Sequence, residues 1–212
     1  MARTEASGRL NKETSWALKV RSPRIGDVPA MARIHVRSWQ ETYRGIMSDA
    51  TLDDPSFVSR RERFWTAALS DERYAENRAA VAEHCGEVVG IAMAGPPDGD
   101  NSSWAAQLYL LYLLQAHYGS GAGTELLEAV IAPSESAVLW VVDPNPRAQA
   151  FYRKHGFRPD GTHSIEDGVR EIRMSRYGPT TLLWKACCER RQTCQARPGR
   201  SRSPHAGRTI AW

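Results

Sequence analysis

The chain has 212 residues, 42% of them hydrophobic and 25% charged, enough for one globular domain with extra tails and too long for a disulfide-dependent mini-protein. Its 16 glycines and 12 prolines are near average usage, which excludes collagen-like repeats and wholesale low complexity. The net charge of +4 is uneven: Arg176 to Trp212 carry eight basic residues against Glu189 alone, so the body is mildly acidic and nucleic acid is not the expected partner.

Residues 1–16 are polar and without period, and no apolar stretch follows Arg3, Arg9 and Lys12 to make a secretory signal. A flexible arm is expected there. Leu18 to Val20 reads as a short strand. Asp27 is placed as an N-cap, and Val28, Met31, Ala32, His35 and Trp39 follow at helical spacing, predicting an amphipathic helix to Tyr43 that Gly45 ends. Asp54-Pro55 opens a second helix with Phe57, Phe64, Trp65 and Ala68 on its apolar face. Ala79–Glu83 and Val88–Ala94 read as a hairpin around His84-Cys85-Gly86.

Trp104 to Leu114 has the continuous apolar content of a strand buried on both faces, yet its longest run, Leu108 to Leu114, is far below the ~20 residues of a membrane span. No membrane association and a cytoplasmic location are expected. The strand runs into Gly119, Gly121 and Gly123, and then into a helix with Leu126, Leu127, Val130 and Ile131 on one side. Ala137–Val142 is a buried strand. Asn145 with Pro146 starts a short helix to His155, and Gly156 stops it. Asp160–Ile165 and Val169–Ser175 close the pattern as a hairpin. This order predicts an α/β fold, a single domain over 17–176 with a mixed central sheet of about seven strands flanked by helices. Residues 177–212 are expected to form a basic, disordered tail.

A glycine-rich turn between a buried strand and a helix is where backbone N–H groups and the helix dipole hold an anion, and glycine lets the backbone approach it closely. Asp143 lies where a dinucleotide's ribose-binding acid would be, but the glycine spacing is G-x-G-x-G, with Thr124 where a final glycine would stand. A P-loop fails because no Gly-Lys-Ser/Thr follows. Downstream, Asn145, Tyr152, Gly156 and Phe157 form N-x-x-x-x-x-x-Y-x-x-x-G-F directly after a buried strand.

With these motifs in order, the chain resembles the GNAT superfamily of acetyl-CoA-dependent N-acetyltransferases over about residues 17–176. Gly121 and Gly123 match the glycine positions of that family's pyrophosphate loop, Q/R-x-x-G-x-G/A, while Tyr118 stands where Gln or Arg is usual. Trp39-Gln40-Glu41-Thr42-Tyr43 looks like the substrate-side helix end of small bacterial members. The resemblance implies a single GNAT-like domain that binds acetyl-CoA through Tyr118, Gly119, Ser120, Gly121, Ala122, Gly123 and Thr124, with no metal. It also implies a bulge in the Leu108–Leu114 strand, amides near Leu111 and Leu113 facing the pantetheine and thioester, a splayed Ala137–Val142 strand, and Asn145 on the pantetheine arm.

The same resemblance implies Tyr152 as general acid: a phenol of pKa ~10 stays protonated at neutral pH and can protonate a thiolate of pKa ~8.5. Relatives often carry Glu early in the strand before the glycine turn; here Gln107 stands there and could position a water. Glu41 is the other candidate base. Trp39 and Tyr43 either line the acceptor pocket or belong to the core, and with Tyr109 and Tyr112 they suggest a partly apolar acceptor. Asn145 also reads as an N-cap. The tail's Cys187, Cys188, Cys194 and His205 lack the spacing of a zinc site. The expected activity is direct acetyl transfer to a primary amine of a small molecule or protein. The alternative is a non-catalytic acyl-CoA-binding sensor. A homodimer is compatible with the sequence, although no residue identifies its surface.

Overall fold

The computed structural model describes residues 18–99, 103–166 and 168–178. The arm expected over 1–16, the tail beyond Gly178 and its cysteines lie outside the described residues. The elements run β1 (Lys19–Arg21), α1 (Val28–Tyr43), α2 (Asp49–Leu52), α3 (Phe57–Ser70), β2 (Arg78–His84), β3 (Glu87–Gly95), β4 (Ala106–Leu113), α4 (Ala122–Val130), β5 (Ala137–Val142), α5 (Pro146–Lys154), β6 (Arg158–Glu166) and β7 (Val169–Arg176). The seven strands form one sheet in the order β1-β2-β3-β4-β5-β7-β6, antiparallel except for β4 against β5. The mixed α/β domain expected from the sequence is the fold observed. The single-turn α2, which it did not predict, is capped by Ser48, whose Oγ accepts the Thr51 amide at 3.2 Å.

Helices cover both faces of the sheet. On one, Leu126, Leu127 and Val130 of α4 pack with Tyr152 of α5, Phe157 and the small residues Ala80, Ala82, Ala92 and Ala94. On the other, Met31, Ala32 and Trp39 of α1 and Phe57 and Trp65 of α3 pack on Ile91, Met93, Leu110 and Tyr112. The apolar spacing of α1 is therefore its buried stripe. His35 lies within that stripe, fully buried, with the Tyr112 ring 4.7 Å away, and burial pushes its imidazole well below the usual value.

Asp27 stands at the N-cap of α1 as expected, but its side chain makes no capping bond to the helix's first amides. Its carboxylate pairs with Arg21 at 2.7 Å and accepts the Arg24 amide at 2.7 Å, tying β1 to the turn before the helix. The β2–β3 hairpin closes through Cys85 (φ 53) and Gly86 (φ 82), both left-handed as a tight two-residue turn requires.

Strand β4 carries the irregularity that shapes the molecule. Met93 faces Leu110 and Ala94 faces Leu108, so Tyr109 is an extra residue with no partner on β3. Side chains on a strand alternate, and one inserted residue reverses the alternation. Ala106 and Leu108 accordingly belong to the α4 face, whereas Leu110 and Tyr112 belong to the α1 face. The Tyr109 hydroxyl donates to the Pro96 carbonyl, fastening the bulge to the neighbouring loop.

Candidate active site

Strands β4 and β5 pair at only three positions, Ala106 with Ala137, Gln107 with Val138 and Leu108 with Leu139. Past Leu108 the pairing ends although both strands continue, and a cleft of about 370 Å³ lies against the unpaired part of β4. The splay and the bulge expected in this stretch are both present. Leu111, Tyr112 and Leu113 of β4, Ser38, Glu41 and Thr42 of α1, and Asn145, Arg147, Ala148, Phe151, Tyr152 and Lys154 from the α5 segment line the cleft. Gln115, Tyr118, Gly119, Gly121, Gly123 and Thr124 complete it.

The glycine turn is built as an anion cradle. Gly119 (φ +80) and Gly121 (φ +93) are left-handed, and nothing lies within 4 Å of where a Cβ would stand on either. Gly121 is the N-cap of α4, so the positive end of the helix and its first amides face the turn. Ser120 and Ala122, expected among the binding residues, do not line the cleft with their side chains. The Ser120 hydroxyl donates to the His117 carbonyl at 2.7 Å and accepts the Ala122 amide at 3.3 Å, bracing the turn from within. Ala122 is fully buried. Thr124 Oγ1 meets His155 Nε2 at 3.0 Å.

Tyr118, read as the loss of a polar group from this turn, has one returned from across the cleft. The Arg147 guanidinium lies 3.4 Å from the Tyr118 ring centroid. Arg147 and Lys154 are exposed cations on the cleft, and sequence reasoning missed both. The available signal was their place in the first and last turns of a helix whose N-cap was already recognised.

Asn145 does cap α5, accepting the Ala148 amide at 3.1 Å through Oδ1, while it lines the cleft. Tyr152, about two turns further on, is completely buried and packs on Phe151 and Phe157. Its hydroxyl has no hydrogen-bond partner among the described residues, and burial pushes the phenol above its ordinary value. A neutral phenol on a cleft is a proton donor waiting for an acceptor.

Three expected site residues are elsewhere. Gln107 is 2% exposed and does not line the cleft; it stands before the bulge, where its side-chain carbonyl accepts the Asp98 amide at 3.1 Å. Trp39 and Tyr43 belong to the core: Trp39 donates to the Tyr112 hydroxyl at 2.7 Å and packs on Tyr43 and Phe57. With Tyr109 turned to Pro96, only Tyr112 of the four aromatics expected at the acceptor pocket lines the cleft. Glu41 does line it. Its carboxylate accepts from Arg37 Nε and from the Gln115 amide, each at 3.0 Å. Asp143 is occupied by Arg170 at 2.8 Å and Gln149 at 3.2 Å, which leaves the dinucleotide reading without its ribose ligand. Among the described residues, no cluster of three or more acidic, histidine or cysteine side chains could hold a metal, and no helix is long and apolar enough to cross a membrane.

The acetyltransferase (GNAT) family model matches residues 30–157. The uncharacterized N-acetyltransferase YuaI of Bacillus subtilis is 27% identical over 164 residues, covering 75% of this chain and 90% of its own. An uncharacterized N-acetyltransferase of Mycobacterium tuberculosis is 37% identical over 117 residues, 50% of this chain and 72% of its own. In three dimensions, the PaiA N-acetyltransferase of Thermoplasma acidophilum in complex with coenzyme A superposes with a TM-score of 0.60 at 17% identity, covering 76% of this chain and 99% of its own. YncA of Salmonella typhimurium with its cofactor acetyl-CoA gives 0.57 at 20% identity, over 76% and 94%. At these identities the two structures share the fold.

Proposed function

The chain belongs to the acetyltransferase (GNAT) family, and from that premise we propose that it transfers an acetyl group from acetyl-CoA directly to a primary amine of a small molecule or protein, in a ternary complex. The observation that carries this reading is one continuous cleft lined by an anion cradle, by two cations at opposite ends of α5, and by an unpartnered, buried phenol. These groups fit a donor with a phosphorylated end and a thioester end.

Acetyl-CoA supplies an activated acyl group whose leaving thiolate needs one proton. The amides around Gly119, Gly121 and Gly123, with Arg147 and Lys154, hold the phosphates. The main-chain groups of β4 near Leu111 and Leu113, beyond the last rung shared with β5, hold the arm and polarise the carbonyl. Asn145 orients the arm while it caps α5. Tyr152 keeps a proton at Oη for the thiolate. Glu41, the single carboxylate lining the cleft among the described residues, accepts the proton that the amine loses as its nitrogen bonds to the carbonyl carbon.

Thermal unfolding with acetyl-CoA, free CoA and NAD tests the reading. A ligand at 100 times its Kd adds ~2.7 kcal/mol and raises the midpoint by several degrees in a domain of this size. The expected result is a rise with both CoA species, none with NAD, loss of the rise in Gly121→Glu, and thiol release from acetyl-CoA when an amine panel is added. No rise with either CoA species overturns the donor assignment; a rise without turnover of any amine overturns catalysis.

A further inference from the structure

Ser38 stands in the middle of α1, where a serine hydroxyl ordinarily bonds back to the carbonyl four residues earlier. It makes no such bond. The side chain is 3% exposed, its Oγ has no partner among the described residues, and it lines the cleft. Leaving a buried hydroxyl unpaired is costly, so the position calls for a partner that the folded chain does not provide.

The surroundings limit what that partner is. Ser38, Glu41 and Thr42 lie three and four residues apart, share one face of α1 and all line the cleft. Tyr152, from α5, brings the cleft's other unpartnered hydroxyl. Under the reading above, the Tyr152 proton goes to the thiolate and Glu41 takes a proton from the nucleophile. Ser38 is then a second acceptor on the α1 wall. A neutral nitrogen attacking a carbonyl carbon must aim its lone pair at that carbon, so it meets the wall through its N–H bonds.

Resting on that reading, we propose that Ser38 binds the acceptor nitrogen, its hydroxyl oxygen accepting one N–H while a second hydrogen is directed to Glu41. Two acceptors on one wall require two hydrogens on the nucleophile. A primary amine has them. An alcohol has one, which is lost in the reaction, so Ser38 selects nitrogen over oxygen acceptors. The amide product retains the N–H that Ser38 holds.

The test needs no knowledge of the natural acceptor. Two probes are prepared, CoA–S–CH2–C(O)–NH–CH3 and the ester CoA–S–CH2–C(O)–O–CH3, which differ by one N–H. Their affinities are measured by titration calorimetry on the intact protein and on Ser38→Ala, with acetyl-CoA alongside. The expected result is an amide preference of about five- to tenfold in the intact protein. In Ser38→Ala the preference falls below about twofold, acetyl-CoA affinity is unchanged, and the unliganded midpoint is equal or higher, because an unpaired buried hydroxyl has been removed. An intact protein that binds both probes equally, or a Ser38→Ala variant that keeps the preference, overturns the assignment. A lower midpoint in Ser38→Ala also overturns it, since Ser38 would then be held by a structural bond. If neither probe nor acetyl-CoA binds, the donor assignment fails and takes this one with it.

Discussion

The Arg147 guanidinium sits 3.4 Å from the centre of the Tyr118 ring, joining the first turn of α5 to the loop that follows β4. The ring is a platform that holds a cation beside the glycine turn without placing one in the turn. Arg147→Ala should raise the Kd for acetyl-CoA about 5- to 30-fold, more at low salt than at high salt, as calorimetry across ionic strength would record. Tyr118→Ala should produce part of the same loss, because the guanidinium keeps its charge and loses its support.

Gly121 has φ +93 and open space beyond it, so a methyl group there meets no atom and the penalty is backbone strain alone. Gly121→Ala should cost about 1–2 kcal/mol, seen as a midpoint lowered by a few degrees, and should weaken acetyl-CoA binding as the turn relaxes. Gly123 is not left-handed, and its added Cβ would meet Phe151 at 3.3 Å. Gly123→Ala should therefore act through the packing of α4 on α5.

Tyr152→Phe separates chemistry from folding. Removing an unpartnered buried hydroxyl should leave the unfolding midpoint unchanged or raised, while kcat falls about 10²-fold and the Kd for acetyl-CoA stays within about twofold. The buried phenol is raised above its ordinary ~10, so its protonated form persists through neutral and mildly alkaline pH. A kcat profile that declined between pH 7 and 9 through loss of the Tyr152 proton would contradict this.

Of the two residues expected at the proton-accepting step, Glu41 lines the cleft and Gln107 does not. Glu41→Gln should lower kcat/KM about 10²-fold in steady-state assays. Gln107→Leu should leave the kinetics intact and cost about 1 kcal/mol in thermal unfolding, because the Asp98 amide loses its acceptor.

Asp27 links stability to acid. Arg21, hydrogen-bonded to it at 2.7 Å, holds its carboxyl below the usual value of 3.8. A depressed carboxyl contributes stability above its unfolded pKa and loses it as pH falls through the folded one, so the contribution is intact at neutral pH and fades below about pH 4. For a pair still touched by solvent the effect is modest, about 0.5–1 kcal/mol, and Arg21→Met should remove most of it from the pH dependence of unfolding, leaving the part due to the Arg24 amide.

Most of the fold could be read from the chain because α1, α4 and β5 have clean patterns: Met31, His35 and Trp39 recur at helical spacing, and Ala137–Val142 is apolar throughout with turn residues on either side. The bulge position could not. Leu108 to Leu114 is apolar at every position, so the reversal at Tyr109 leaves no trace in the pattern, and the resemblance places a bulge in this strand without giving its residue. Asn145 and Tyr152 were legible because their helix is bounded by Pro146 and Gly156. Arg147 with Tyr118 and Ser38 in the cleft were not, since neither relationship has a local spacing. Trp39 illustrates a true ambiguity: an aromatic continuing a buried stripe fits a core and a pocket wall equally, and only its bond to Tyr112 places it.

The short ladder between β4 and β5 bears on stability as well as on the cleft. Three rungs join a four-strand half, β1 to β4, to a three-strand half, β5 to β7, and past Leu108 the seam between the two is held by side-chain packing and not by the ladder. A donor lying along that seam would act as a splint, making the halves yield to heat or protease as one unit when the donor is plentiful and more independently when it is scarce. Resistance to heat and to protease would then rise together as donor is added.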